Sequence, residues 1–175
     1  IILAMDSISI EPLKWYQLVK FLRLRQKIEA EAKHLALDEA DRKSESTLFA
    51  LGRMIANRKW LTILVAKEGA EFVGYLSIFF ARFRKMKANA YLVLSVDVTH
   101  RGQGIGTKLM RAAEVSARDR GIIRLELEVF AKNEGAHQLF KRLGYEEEGR
   151  KRKVAKIRDG EFDDLILMAK FLTKV

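Results

Sequence analysis

The sequence predicts one mixed α/β domain, and three observations point there. After a first alternating stretch, apolar residues recur at helical spacing from about residue 15 to 57 and alternate like strands from residue 61. Strand-like and helix-like runs then follow one another to the end, giving the order β-α-α-β-β-β-α-β-α-β-β. No linker rich in Pro, Gly or Ser, no repeat and no low-complexity tract interrupts them, so residues 7–175 read as a single domain.

Ser7 to Leu13 alternates and reads as a first strand ending near Pro12. Trp15 to His34 carries Leu18, Phe21, Leu22, Ile28 and Ala32 mostly at helical spacing. A polar, charged stretch covers residues 35–46. Thr47 to Asn57 then places Leu48, Leu51, Met54 and Ile55 on one side of a second helix. Leu61–Ala66 and Phe72–Phe80 are strands joined by a short turn around Gly69. A basic segment, Arg82 to Lys87, leads to a strand over Ala90–Val98. A helix over Gly104–Arg120 closes on Gly121, a residue suited to the left-handed helix stop. Ile122–Val129 is a strand, and Asn133–Leu143 is a helix stopped by Gly144. Two last strands, near 145–153 and 162–170, flank an Asp159-Gly160 turn.

Composition narrows the chemistry. With 175 residues and 49% apolar types, the chain can bury a core without disulfides or metal. The absence of cysteine removes thiol nucleophiles and thiolate metal sites. His34, His100 and His137 lack metal-ligand spacing, so no metal is expected. No apolar run approaches the roughly 20 residues that span a bilayer. The opening Ile1–Met5 is too short for a signal-peptide core. A cytoplasmic location without membrane contact is the expectation. Few amides, no cysteine and 32% charged residues fit a thermophilic source. A net charge of +10 favours polyanionic or phosphate-rich partners.

The most informative segment is Arg101-Gly102-Gln103-Gly104-Ile105-Gly106-Thr107, between a strand and a helix. Its three glycines let the backbone turn tightly and approach a ligand closely. The amides at a helix start are unpaired and the helix dipole is positive there, which suits a phosphate or pyrophosphate. A plain tight turn is the competing reading, but one glycine usually suffices for that. A P-loop would need a Gly five residues before Gly106, where Arg101 stands, and the dinucleotide fingerprint would need Gly at Leu109.

The loop resembles the acetyl-coenzyme A loop of the GNAT N-acetyltransferase superfamily, Arg/Gln-x-x-Gly-x-Gly/Ala. Leu125 to Val129 followed by Asn133 and by Leu139 to Tyr145 is similar to the family's next strand and helix, and Asp159 to Met168 resembles its closing strand. The likeness is strong over residues 90–170 and is one of element order over 7–80. It implies a mostly antiparallel central sheet flanked by helices, with acetyl-CoA as acetyl donor. By the same resemblance, Leu94, Ser95 and Val96 offer main-chain groups to the pantetheine arm, and Arg101, Gly102, Gln103, Gly104, Ile105, Gly106 and Thr107 cradle the pyrophosphate. Asn133 bonds the pantetheine, where it is equally suited to cap the helix, and Phe140 packs along the thiol end.

Acetylating an amine needs a proton acceptor and a donor or stabiliser for the leaving thiolate. Strand alternation sets Arg124, Glu126, Glu128 and Phe130 on one face and Ile123, Leu125, Leu127 and Val129 on the other. Glu128 falls on the position that often serves the family as general base. A solvated polar strand face is the alternative. The family's usual Tyr is Phe140 here, so either Tyr91, Tyr145 or water supplies the proton or the thiolate leaves without one. The family also often has Pro where this chain has Val98, at the strand exit, where little effect is expected.

The resemblance puts the acceptor site on residues 23–46 and 145–165, which mix cations with acids. A primary amine is expected there: a protein N-terminus, an amino acid or another small amine. The family likeness also leaves room for a homodimer. Two rival readings are a weakly catalytic acyl-CoA-binding domain and a basic nucleic-acid module. The basic run Arg150–Lys153 favours the latter, but no zinc motif or RNA-binding aromatic signature supports specific nucleic-acid recognition.

Overall fold

The computed structural model describes residues 8–31, 59–158 and 160–172. The expected second helix, 47–57, and the charged stretch before it lie outside the described residues.

Seven strands form one sheet: β1 (Ile8–Pro12), β2 (Leu61–Glu68), β3 (Glu71–Phe80), β4 (Asn89–Val96), β5 (Arg124–Phe130), β6 (Glu146–Arg158) and β7 (Glu161–Phe171). Their order across the sheet is β1-β2-β3-β4-β5-β7-β6. Every neighbouring pair is antiparallel except β4 with β5. That one parallel pair needs a crossover, and α2 (Ile105–Arg118) supplies it. A 3₁₀ turn, Trp15–Gln17, leads into α1 (Leu18–Glu31), and α3 (Glu134–Arg142) joins β5 to β6.

Each sheet face has its own core. On one face Phe21, Leu24 and Ile28 of α1, at helical spacing, pack on Leu61, Ile63, Val65 and Tyr75. The Phe21 and Tyr75 rings meet edge-on at 5.1 Å. On the other face Leu109, Met110, Ala113 and Ala117 of α2, with Phe140 of α3, cover Leu76, Ile78, Leu92, Leu125, Leu127, Val129 and Met168. Each large side chain buried this way contributes about 1.5–3 kcal/mol relative to exposure. β5 alternates between the second core and the α1 side of the sheet, as its Glu/Leu pattern requires.

Among the described residues the expected elements are present within a few residues of their sequence bounds, with two informative differences. The strand expected to Val98 ends at Val96, because Asp97 caps a 3₁₀ turn over Val98–His100. Val98 opens that turn and is exposed, so its side chain is free of packing demands. The last hairpin is also longer than expected. β6 runs to Arg158, and its register slips between Lys151 and Ala155, where three residues stand opposite Asp164 alone.

The sheet opens in the middle. Only Asn89, Ala90 and Tyr91 of β4 pair with β5, at Arg124, Leu125 and Glu126. β4 continues to Val96 against β3 alone, so the two parallel strands part where β4 approaches the glycine loop.

Candidate active site

The opening between β4 and β5 continues into a cleft of about 680 Å³. Leu94, Ser95 and Val96 line one side, and Arg101, Gly102, Gly104, Ile105, Gly106 and Thr107 close one end. Asn133, Ala136 and Leu139 of the α3 region form the opposite wall, and Ile28 of α1 also reaches it. The sequence therefore brings together most of the expected cofactor residues. Gln103 and Phe140 stand apart from the lining.

The loop has the geometry a phosphate requires. Gly102 and Gly104 both take φ near +78°, a conformation that costs L residues with a Cβ. Gly104 is the N-cap of α2 and has no side chain to occupy the amides that follow. The first helical bond runs from the Lys108 amide to the Gly104 carbonyl, leaving the preceding amides at the cleft end. Gly106 is needed for another reason: a Cβ there would lie 3.0 Å from Leu139 and narrow the cleft between α2 and α3. Arg101 folds back so that its Nε donates to the Val96 carbonyl at 3.2 Å, tying the loop to the end of β4. The Gln103 amide donates to the Thr99 carbonyl, which keeps that side chain out of the cleft.

A buried carboxylate braces this end. Asp97 is 3% exposed and accepts from Lys27 Nζ at 2.6 Å and from the Thr99 hydroxyl and amide at 2.7 and 3.0 Å. Burial drives its pKa upward, but the bonds from Lys27 and Thr99 outweigh that and hold it at about 2. Asp97 thus locks α1 to the glycine loop. The sequence placed Asp97 inside the expected strand; its position two residues before Thr99 is the one local signal for this brace. Lys27 carried no comparable signal.

On the far wall Asn133 caps α3, its Oδ1 accepting from the Ala136 amide at 3.3 Å. Phe140 is buried in the core with its ring 6.1 Å from Tyr145, while the adjacent Leu139 faces the cleft. Gly135, Gln138, Leu139 and Arg142 also line it. Their helical spacing was legible as a face of α3 pointing away from the core.

The carboxylates of β5 occupy the α1 side of the sheet. Glu128 lies two residues beyond Glu126, the last β5 residue paired with β4, where the strands begin to part. It accepts from Lys151 Nζ of β6 at 2.7 Å. Tyr91 of β4 lies near enough for its phenol to feel this carboxylate's charge. Burial, then the charges of Glu128 and Glu126, push that phenol up to about 12. Glu126 is held by Arg124, which also grips Glu148. Tyr145 does not join this group. It lies 2% exposed in the α2 core beside Glu114 and Arg118, its hydroxyl has no hydrogen-bond partner among the described residues, and burial drives its pKa far up. As a proton donor at the cleft it is excluded by position. His137 Nε2 donates to Glu147 Oε1 at 2.8 Å on the outer surface.

Among the described residues no group of His, Cys, Asp or Glu could hold a metal ion, and no helix is long and apolar enough to cross a membrane.

Comparisons with known proteins agree with this geometry. The L-amino acid N-acetyltransferase AaaT of Escherichia coli K12 is 32% identical over 117 residues, which is 66% of this chain and 72% of that protein. An acetyltransferase of the GNAT family from Streptococcus pneumoniae superposes with a TM-score of 0.85 at 21% identity, covering 94% of this chain and 99% of that one. The yncA protein of Salmonella typhimurium, solved with its cofactor acetyl-CoA, superposes with a TM-score of 0.81 at 18% identity, covering 96% and 95%. Residues 22–145 match the Acetyltransferase (GNAT) family. The cleft, the glycine loop at its end and this match agree: the chain belongs to the GNAT family of N-acetyltransferases and uses acetyl-CoA as acetyl donor.

Proposed function

We propose that this acetyltransferase acts on a primary amine by direct attack on the thioester, with Glu128 as the proton acceptor. The observation that carries this reading is the parting of β4 and β5. It leaves the Leu94–Val96 edge of β4 free of strand partners on the β5 side, and it sets Glu128 at the point of divergence.

In this reading the amides of residues 104–107 receive the pyrophosphate, and the main chain of Leu94–Val96 receives the pantetheine amides as a strand would. Asn133 reaches the same arm from the cap of α3. The thioester then lies at the parting of the strands. The amine nitrogen attacks the acyl carbon, the new C–N bond forms, the C–S bond breaks and the nitrogen's proton passes to Glu128 directly or through water. The thiolate takes its proton from water or from a phenol on the same face, for which Tyr91 is placed and Tyr145 is not. The relative named for L-amino acids supports a small amine acceptor.

The test is thiol release from acetyl-CoA across amino acids, polyamines, aminoglycosides and N-terminal peptides. Glu128→Gln should lower turnover on the best acceptor by roughly 100- to 10,000-fold, the span of general-base catalysis. Cofactor affinity should hardly change, and the loss should shrink at high pH, where more amine is already neutral. Unaltered turnover in Glu128→Gln would mean that this strand face is only solvated.

A further inference from the structure

We propose that Lys151 and Glu128 together form a template for a zwitterion, so that the preferred acceptor is a free α-amino acid with an apolar side chain. This rests on the acetyl-transfer reading above and adds to it the recognition of the acceptor's carboxylate.

The two side chains project from the same sheet face on either side of β7. Glu128 is paired with Leu167 and Lys151 with Leu165, and their charged ends meet at 2.7 Å. The lysine side chain is 52% exposed and the glutamate 24%. An open ion pair of this kind is worth only about 0–1 kcal/mol, so a ligand can separate it at little cost. The position of Lys151 is nevertheless built. Immediately after it the strand bulges, with Lys153 at φ +54°. Asp164 pins the bulge, accepting from the Lys153 amide and from Arg150 Nε, each at 2.8 Å. Bulges beside active sites re-aim neighbouring side chains in this way.

Lys151 bonds only one of the Glu128 carboxylate oxygens, so an amine that gives its proton to Glu128 enters beside the lysine. A polyamine or other cationic acceptor then meets like charge there. An α-amino acid brings a carboxylate one carbon away from its nitrogen. Its nitrogen lies on Glu128 and its carboxylate on Lys151, so the four charges alternate around a ring. Three other cations of this region have different partners: Arg150 holds Asp164, Arg124 holds Glu148 and Glu126, and Lys153 lies over the Phe162 ring. Half-buried Phe130, Leu165 and Leu167 share the face around the pair and offer apolar contact to a side chain. The substituent of an amino acid such as leucine fits that surface better than a charged one.

The experiment compares leucine, leucinamide and an acidic N-terminal peptide as acceptors for the whole chain with acetyl-CoA. It adds calorimetric binding of leucine to the CoA complex as a readout that needs no turnover. Leucine should exceed leucinamide at least about tenfold in kcat/KM, mainly through KM, a difference of about 1.4 kcal/mol. Lys151→Met should abolish the ratio and weaken leucine binding, and Lys151→Arg should keep both. A wild-type enzyme that uses leucinamide as well as leucine, or a Lys151→Met variant that loses both in equal proportion, would overturn the template. Preference for the acidic peptide would overturn it in favour of a polypeptide on the basic β6 strand. Leucine binding that depends on Lys151 without any acetylation would keep this inference and reject the catalytic reading instead.

Discussion

The two ends of the site are built from different materials. The cofactor end is main chain: helix amides, two left-handed glycines and the unpaired edge of β4. The proposed acceptor end is side chain: Glu128, Tyr91 and Lys151, contributed by β5, β4 and β6. A main-chain site demands particular backbone angles, which few residue types supply. A side-chain site demands only that strands be laid side by side in the right register. The first kind leaves a contiguous signature in the sequence, and the second scatters its parts.

The largest expected effect at the cofactor end comes from Gly104→Val. No heavy atom lies within 4 Å of the space a Cβ would take, so the cost there is the φ of +78° and not a clash. Relaxing that angle turns the α2 amides away from the pyrophosphate. Losing two charge-assisted hydrogen bonds, at about 1.5 kcal/mol each, weakens CoA roughly 100-fold. Calorimetry with CoA measures this. A folded Gly104→Val protein with wild-type affinity would make the loop a turn and nothing more, and would erase the contrast between the two ends.

The contrast also explains what the sequence showed and what it hid. The order of strands and helices, the glycine loop and the two faces of β5 could be read directly, because each is local: period, turn chemistry and alternation over a few residues. The pairing of Lys151 with Glu128 spans 23 positions and depends on β7 lying between the two strands and on a bulge pinned by Asp164. Nothing adjacent in sequence announces it. Phe140 shows a motif position and burial pulling apart. A motif position implied a place at the thiol end, but an unsubstituted ring in a core-facing helix position is held by burial, and the cleft wall passes to Leu139.

Asp97 offers an intermediate test, since it braces the main-chain end by side-chain bonds. Its folded pKa of about 2 lies below its ordinary value of 3.8. The stabilisation is therefore fully present above about pH 4 and is lost as pH falls from there towards 2. Asp97→Asn should cost roughly 2 kcal/mol at neutral pH, and the deficit should close as both proteins approach pH 2. Urea midpoints across that range measure it. A deficit that stays constant with pH would show that Lys27 and the Thr99 turn stand without the charge.

The smallest effect is expected where the acceptor end excludes a residue. Tyr145 and Tyr91 are both phenols with raised pKa values, yet they sit on opposite sheet faces: Tyr91 lies near Glu128, and Tyr145 is sealed behind α2 and α3 with Lys170 above its ring. A buried hydroxyl without a partner is a cost to the fold, and removing it leaves apolar packing of nearly the same shape. Tyr145→Phe should therefore raise stability by up to about 1 kcal/mol and leave acetyl transfer at the wild-type rate. Tyr91→Phe should instead alter the pH dependence of turnover, because it removes the phenol proposed to protonate the leaving thiolate. Stopped thiol-release assays over pH separate the two variants. A large rate loss in Tyr145→Phe with Tyr91→Phe unaffected would reverse the assignment, and the proton path would then have to cross the sheet at the point where β4 and β5 part.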